Sequence, residues 1–175
     1  MAIDEARTFK PVRIALLTVS DTRGPDEDTS GDILAGRIQG KGHTLIDRMI
    51  LKDDVNLITA QLHAWIEDEN VDAAIITGGT GLTGRDVTPE ALDRVKTREI
   101  PGFGELFRWL SFKTIGTSTI QSRACAVVAR GTYIFALPGS NGAVKDGWDG
   151  ILDEQLDSRN RPCNFVELMP RLREK

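Results

Sequence analysis

A short apolar run that ends in a glycine-rich turn constrains the fold of this chain more than any other stretch. Ala73–Thr77 reads Ala-Ala-Ile-Ile-Thr and is bounded by polar and turn residues, which is typical of a strand buried on both faces. Gly-Gly-Thr-Gly follows at 78–81. Glycine allows positive φ and lets a ligand approach the backbone, and successive amides in such a turn form a concave nest for phosphate oxygens. The stretch therefore predicts an anion site at the carboxyl edge of a parallel sheet.

A helix is predicted directly after this turn, from residue 88 to about residue 96. Thr88 is a favourable N-cap residue, Pro89 fits the first helical position, and Glu90 suits the positive end of the helix dipole. A helix N-terminus here would add to the anion site. The glycines alone are equally compatible with a tight turn that binds nothing, because such a turn requires glycine in either case.

Asp86 favours the ligand-binding interpretation. It lies five residues after Gly81, beside the predicted nest. A carboxylate in that place repels phosphate unless a cation lies between them, and Mg²⁺ is the usual cation. Helix capping is the alternative role for this acid, but Thr88 is better placed for it. The segment therefore predicts a magnesium and phosphate site.

A second pair of acids is predicted to reach the same edge of the sheet. Asp53 and Asp54 follow a strand predicted at 43–51 and precede an amphipathic helix. One of the two is expected to be the N-cap of that helix. The carboxylate of the other would then be free at the carboxyl end of a strand, where ligands bind in parallel α/β sheets.

Composition limits the classes of protein to which the chain can belong. Its 175 residues are 40% hydrophobic and 27% charged, with a net charge of -4, which predicts one globular domain without general affinity for nucleic acid or anionic membranes. The acidic N-terminus predicts no signal peptide, and no apolar stretch is long enough to span a membrane. Cys125 and Cys163 are predicted to be free thiols, and we expect a cytoplasmic protein.

The other elements predict an α/β fold whose sheet is mostly parallel, with an antiparallel hairpin late in the chain. The hairpin pairs 124–130 with 133–137 through a tight turn at Gly131 and Thr132. A second glycine turn, at 138–142, is expected on the same rim as the first. We divide the chain into an N-terminal arm at 1–11, one domain at 12–165 and a C-terminal tail at 166–175.

A rigid turn at 100–104 is predicted to lead into a helix at 105–112. This helix has a wide apolar face that includes Leu106, Phe107, Trp109 and Leu110. Such a face is either buried within the chain or contacts another subunit, and burial within the chain is the default expectation.

Six motifs resemble, in this order, those of the MoaB/Mog family of molybdenum cofactor biosynthesis. They occur at 18–21, 29–31, 76–81, 86–91, 101–105 and 137–140, and the resemblance extends from about residue 12 to residue 165. Further segments at 110–112, 115–119, 121–123 and 161–165 are similar to the MoaB branch in particular.

The resemblance implies a three-layer α/β/α molybdopterin-binding domain that assembles as a trimer or hexamer. It implies adenylylation of molybdopterin, in which the terminal phosphate of the pterin attacks the α-phosphate of Mg-ATP and releases pyrophosphate. The alternative is a non-catalytic subunit that binds molybdopterin or a nucleotide, and a partner enzyme that inserts molybdate is a further expectation.

Individual roles follow from the resemblance by position. The catalytic and metal-binding acids would be Asp86 and either Asp53 or Asp54. The turn formed by Gly78, Gly79, Thr80 and Gly81 would hold nucleotide phosphates. The remaining candidates for lining the pterin or nucleotide site are Ser20, Asp21, Ser30, Ser122, Ser140 and Lys145.

Overall fold

The computed structural model describes residues 3–174 and contains a six-stranded sheet in the order β2-β1-β3-β6-β5-β4. The strands are β1 Arg13–Val19, β2 Thr44–Leu51, β3 Ala73–Thr77, β4 Arg98–Glu99, β5 Cys125–Ala129 and β6 Thr132–Leu137. The helices are α1 Thr29–Gly40, α2 Val55–Glu67, α3 Thr88–Val95, α4 Pro101–Ile115, α5 Asn141–Gly147 and the short α6 Phe165–Leu168. A π-helical segment, Trp148–Leu152, continues α5 and leads into one further α-helical turn, Asp153–Gln155.

The sheet is mixed, as predicted. β1 lies parallel to β2 and β3, and β3 lies parallel to β6, whereas β5 is antiparallel to both β6 and β4. The carboxyl ends of β1, β2, β3 and β6 therefore meet at one edge.

The core consists of two apolar layers, one on each face of the sheet. Every residue of β3 is buried, with Ile75 facing one layer and Ile76 facing the other. Helices α1, α4 and α5 cover the first face, and α2 and α3 cover the second. The three-layer α/β/α architecture expected from the resemblance is thus confirmed.

The turn of the late hairpin lies one residue earlier than predicted. Arg130 and Gly131 form it, with φ of 50° and 105°, and Thr132 is already the first residue of β6. A two-residue hairpin loop with positive φ at both positions matches the right-handed twist of the strands, and this geometry decides the register.

Helix α4 begins at Pro101, so the prediction of a rigid turn at 100–104 was wrong. Proline is compatible with the first turn of a helix. A side chain at Gly104 would place its Cβ 2.4 Å from the carbonyl oxygen of Ala124, so glycine permits α4 to pack closely against the start of β5. Gly104, one of the glycines that suggested a turn, therefore serves packing.

The apolar face of α4 is only partly buried within the chain, contrary to the default expectation. Phe107 is 1% exposed, whereas Leu106 and Trp109 are 41% and 58% exposed. Phe112 and Ile115, near the end of the same helix, are 54% and 53% exposed.

The two ends of the described chain pack together. Ile3 forms a β-bridge with Asn160, and Arg7 forms an ion pair with Glu167 of α6. The backbone amide of Lys10 donates to the Ser158 hydroxyl at 2.9 Å. The division into arm, domain and tail stays a prediction, but the arm is in contact with the C-terminal region.

Within residues 3–174, we find no helix that combines the length and apolar character needed to cross a membrane.

Candidate active site

The glycine turn after β3 is built on backbone conformations that other residues rarely adopt. Gly78 and Gly79 have φ of 108° and 63°. A Cβ at Gly78 would lie 2.1 Å from the carbonyl oxygen of Val19, so β1 approaches the turn too closely for any side chain. The Gly78 amide donates to Leu137 O at 2.9 Å and thus continues the pairing with β6. Within residues 3–174, neither the Gly79 amide nor the Thr80 amide donates a hydrogen bond, and Gly79 is the more exposed of the two residues.

The start of α3 differs from the prediction. Val87 is the N-cap residue and Thr88 is the first residue of the helix. The Thr88 amide donates to Gly79 O at 3.0 Å, and its buried hydroxyl donates to Gly78 O at 2.9 Å. The glycine turn itself therefore satisfies the first amide of α3, so that amide is not free to bind an anion.

Asp86 is held against the glycine turn by local hydrogen bonds. Its Oδ2 accepts from the Thr83 amide at 2.8 Å and from the Thr83 hydroxyl at 2.6 Å. Burial raises the pKa of Asp86, but hydrogen bonds from Thr83 and the Gly81 amide, together with the charge of Arg123, lower it below its ordinary value. The carboxylate is therefore ionised at neutral pH.

The structure distinguishes between Asp53 and Asp54. Asp54 is the N-cap of α2, and its Oδ1 accepts from the amides of Asn56 and Leu57 at 2.7 and 3.0 Å. The Asp53 carboxylate lies instead beside the glycine turn, where a Cβ at Gly79 would be 3.1 Å from its Oδ1.

Like charges surround the Asp53 carboxylate. Burial is the largest cause that raises the pKa of Asp53, and the nearby charges of Asp21 and Asp86 raise it further. Asp21 also fixes the Asp53 backbone, because its Oδ1 accepts from the Asp53 amide at 3.2 Å. Three carboxylates thus lie close enough to repel one another, which is a charge arrangement that a divalent cation would stabilise.

These acids line a cavity of about 270 Å³, here called the acid cavity. Two cations share it: Arg85, which is 3.5 Å from Asp21, and Arg23, whose Nη1 donates to the Ser30 hydroxyl and to Gly139 O. Its lining residues are Val19, Ser20, Asp21, Thr22, Arg23, Asp53, Gly78, Gly79, Thr83, Arg85, Asp86 and Gly139.

A second cavity, of about 210 Å³, is lined in part by the other residues of the two glycine turns, at 78–81 and 138–142. This hydroxyl cavity is lined by Thr80, Gly81, Phe107, Ser111, Ile115, Ser118, Thr119, Gln121, Ser122, Pro138, Ser140 and Ala143. Thr80 is 2% exposed, and its hydroxyl has no hydrogen-bond partner in the described part of the chain. An unpaired buried hydroxyl is costly, so a polar ligand in this cavity would satisfy it.

Most of the remaining candidates lie at or next to these cavities. Ser122 and Ser140 line the hydroxyl cavity, where the Ser140 hydroxyl also caps α5 by accepting from the Ala143 amide. Ser20 lines the acid cavity, and Ser30 is buried behind Arg23. Lys145 is exposed on α5 and lines neither cavity.

The sequence did not single out Arg23, Thr83, Arg85 or Arg123 as site residues. The adjacency of Arg85 to Asp86 was a usable signal. Arg123 lies in the 121–123 segment that resembles the MoaB branch, but its contacts involve residues distant along the chain. Arg23 carried no signal, because its contact with Gly139 is equally distant.

The residues of the acid cavity fit a magnesium ion that is bound partly by the protein and partly by its substrate. Within residues 3–174 no group of three or more histidine, cysteine, aspartate or glutamate side chains is arranged to enclose a metal by itself. Mg²⁺ is usually bound by one or two carboxylates together with substrate phosphates and water. Asp53 and Asp86 beside the unpaired Gly79 amide provide that kind of partial site.

The chain is similar to proteins of one family. Residues 15–158 match the family described as a probable molybdopterin binding domain. Molybdenum cofactor biosynthesis protein B of Escherichia coli strain K12 is 54% identical over 157 residues, which cover 90% of this chain and 92% of that protein. The protein of the same name from Bacillus subtilis strain 168 is 41% identical over 159 residues, covering 89% of this chain and 94% of that protein.

Solved structures agree with this similarity. A crystal structure of a molybdenum cofactor biosynthesis protein B has a TM-score of 0.86 and 34% identity, covering 97% of this chain and 100% of that chain. The tungsten cofactor synthesizing protein MoaB from Pyrococcus furiosus has a TM-score of 0.79 and 32% identity, covering 94% of this chain and 99% of that chain.

Proposed function

The chain belongs to the MoaB/Mog family of molybdenum cofactor biosynthesis, and from this premise we propose that it is a molybdopterin adenylyltransferase. A role in molybdenum cofactor biosynthesis follows from the family itself. The finer assignment is supported by one observation: Asp53 and Asp86 line one cavity together with Gly79, whose amide is unpaired, and a hydroxyl-lined cavity shares the same glycine turns.

The two cavities suit the two substrates. Nucleotide phosphates would accept from the Gly79 amide in the acid cavity, with Arg23 and Arg85 stabilising their negative charge. The pterin would occupy the hydroxyl cavity, whose hydroxyls can donate to ring nitrogens and accept from the amino group, and whose apolar residues would cover the ring.

The reaction requires positioning and charge neutralisation. A terminal phosphate oxygen of molybdopterin forms a bond to the α-phosphorus of ATP while the bond from that phosphorus to the pyrophosphate oxygen breaks. Magnesium, bound by Asp53 and Asp86, would neutralise phosphate charge. No protein nucleophile is needed for such a transfer, which agrees with a site built from amides, carboxylates and guanidinium groups.

Pyrophosphate release tests the proposal directly. Wild-type protein, given molybdopterin and Mg-ATP under anaerobic conditions, is expected to release pyrophosphate and to transfer an α-phosphate label from ATP to the pterin. Omitting molybdopterin should abolish both signals. If the protein binds molybdopterin but produces neither signal, the non-catalytic binding subunit is the correct assignment.

Asp86→Asn is the matched variant for this assay. Asparagine still accepts hydrogen bonds from Thr83 but carries no charge for a metal, so turnover should fall by about 100-fold or more. Molybdopterin binding, measured by anaerobic ultrafiltration, should stay close to the wild-type value because Asp86 does not line the hydroxyl cavity. Full turnover in this variant would exclude the metal role of Asp86.

We also propose that the protein is a homo-oligomer that associates through the exposed apolar residues of α4. Leu106, Trp109, Phe112 and Ile115 are each more than two-fifths exposed, and large exposed apolar patches mark interaction sites. The proposal agrees with the trimeric or hexameric assembly that the resemblance implies.

A further inference from the structure

Arg123 connects the glycine turn to the loop that carries Asp86. Its guanidinium Nε donates to Gly81 O at 2.6 Å, and its Nη2 donates to the backbone oxygen of Asp86 at 2.6 Å. The same guanidinium forms an ion pair with Glu90 of α3. Its own backbone amide donates to Thr80 O at 2.9 Å. One residue therefore holds both ends of the 81–86 loop.

The loop has few other attachments. Residues 82–85 are exposed, and the hydrogen bonds of Thr83 are to Asp86 within the loop itself. Among residues 3–174, the only hydrogen bond from 82–85 to a residue outside the loop is the 3.5 Å contact of Arg85 with Asp21. Arg123 is thus the principal connection between this loop and the rest of the molecule.

The contacts of Arg123 position Asp86 without occupying its carboxylate. The guanidinium donates to the main-chain oxygen of Asp86, whereas the Asp86 carboxylate accepts from the Thr83 hydroxyl. The carboxylate is therefore oriented by Thr83 and not bound by Arg123. Lysine cannot replace these contacts, because one ammonium cannot reproduce the planar set of donors that bonds two carbonyls and a carboxylate together.

We propose that Arg123 is a positioning residue that closes the 81–86 loop and thereby places the Asp86 carboxylate for the metal and nucleotide. The inference deepens the proposed function and rests on it for its catalytic consequence. Its structural and binding consequences can be measured without turnover.

The test compares Arg123→Lys and Arg123→Met with Arg94→Met. Arg94 lies on the exposed side of α3, the helix that also carries Glu90, and donates to Asn56 at 2.8 Å. Its variant therefore removes an arginine contact of α3 at a distance from the 81–86 loop. Glu90→Gln releases only one side of Arg123 and provides a variant with a milder structural change.

Two readouts separate positioning from a general loss of structure. Amide hydrogen exchange of residues 82–87 is expected to become faster in both Arg123 variants, while exchange in β1, β3 and β6 stays unchanged. Mn²⁺ binding with the α,β-methylene analogue of ATP should weaken by about 10-fold, with molybdopterin binding kept and Arg94→Met like wild type. Glu90→Gln should give intermediate values.

The inference is overturned if exchange in 82–87 or Mn²⁺ binding is unchanged in the Arg123 variants. It is equally overturned if exchange accelerates across the whole sheet, because Arg123 would then be a general structural residue. Absence of turnover in wild-type protein would refute the proposed function alone, since exchange and Mn²⁺ binding with the analogue still decide the role of Arg123.

Discussion

Asp53 and Asp54 are neighbours in the chain, yet their carboxylates have different roles. Asp54 accepts two backbone amides of the first turn of α2 and so satisfies groups that the helix leaves unpaired. Asp53 has its carboxylate in the acid cavity with Asp21 and Asp86. At the residue scale, the division of labour between these two acids is therefore set by the capping geometry of one helix.

Asparagine substitutions at the two positions should differ in their effect on turnover. Asp53→Asn removes a charge from the acid cavity and should lower pyrophosphate release by about 100-fold or more, with stability retained. Asp54→Asn should leave both turnover and stability near wild type, because asparagine is as good an N-cap as aspartate. Turnover and urea unfolding of the two variants provide the measurement.

A third variant tests the capping role of Asp54. Asp54→Ala leaves the two amides without their side-chain acceptor and should lower the free energy of unfolding by about 1 kcal/mol. Loss of turnover in Asp54→Asn, with Asp53→Asn active, would reverse the assignment of the two acids.

The N-terminal arm is held at the element scale by a buried histidine. His43 precedes β2, and its Nδ1 accepts from the Val12 amide at 3.1 Å, so this nitrogen must be unprotonated. The ring lies between Phe9 of the arm and Trp148, with centroid distances of 5.2 and 6.2 Å. Burial, with the charge of Lys41, lowers the pKa of His43 to about 4, although the charges of Asp153 and Asp157 oppose the shift.

This shift predicts that acid destabilises the fold between pH 6.5 and pH 4. The unfolded state takes up a proton near pH 6.5 whereas the folded state does so only near pH 4, so the free energy of unfolding falls as the pH decreases through this window. The pKa of Asp157 is lowered to about 2, chiefly by Arg159, and that group titrates below the window.

Urea unfolding of His43→Asn and His63→Asn across this window tests the prediction. Asparagine at 43 can still accept from Val12 but cannot be protonated, so the pH dependence of stability should become flatter. His63 is exposed on α2, and its variant should keep the slope of wild type. An unchanged slope in His43→Asn would contradict the assignment.

At the scale of the whole molecule, the apolar residues of α4 are the feature that the single chain does not explain. Trp109 and Phe112 are 58% and 54% exposed, and Lys113 covers the Trp109 ring at 3.7 Å from its centroid. Leaving this surface in water is unfavourable, whereas a second copy of the chain could bury it.

Sedimentation should therefore give a mass of at least twice the 19.2 kDa of one chain. Trp109→Glu introduces a charge into the proposed interface and should shift the protein towards the monomer. Leu57→Glu is the matched control, because Leu57 is 49% exposed on α2, at the opposite face of the sheet. A stable wild-type monomer would refute the assembly.

Local sequence patterns determined the fold class of this protein and the edge of the sheet where its candidate site lies. The apolar run of β3 requires burial on both faces, the alternation of strands and helices requires a mostly parallel sheet, and parallel strands bring their carboxyl ends to one edge. These rules operate over a few residues at a time, which explains why Asp86, the glycine turn and one of the two acids Asp53 and Asp54 could be expected together from the sequence.

Only the tertiary structure decided how the site is completed. The bond from Arg123 to Gly81 joins residues 42 positions apart, and the bond from Arg23 to Gly139 joins residues 116 positions apart, so neither follows from local spacing. The close approach of α4 to the start of β5, at Gly104 and Ala124, likewise joins residues that are distant along the chain. Periodicity and turn chemistry describe neighbours along the chain, whereas these contacts depend on how separate elements pack.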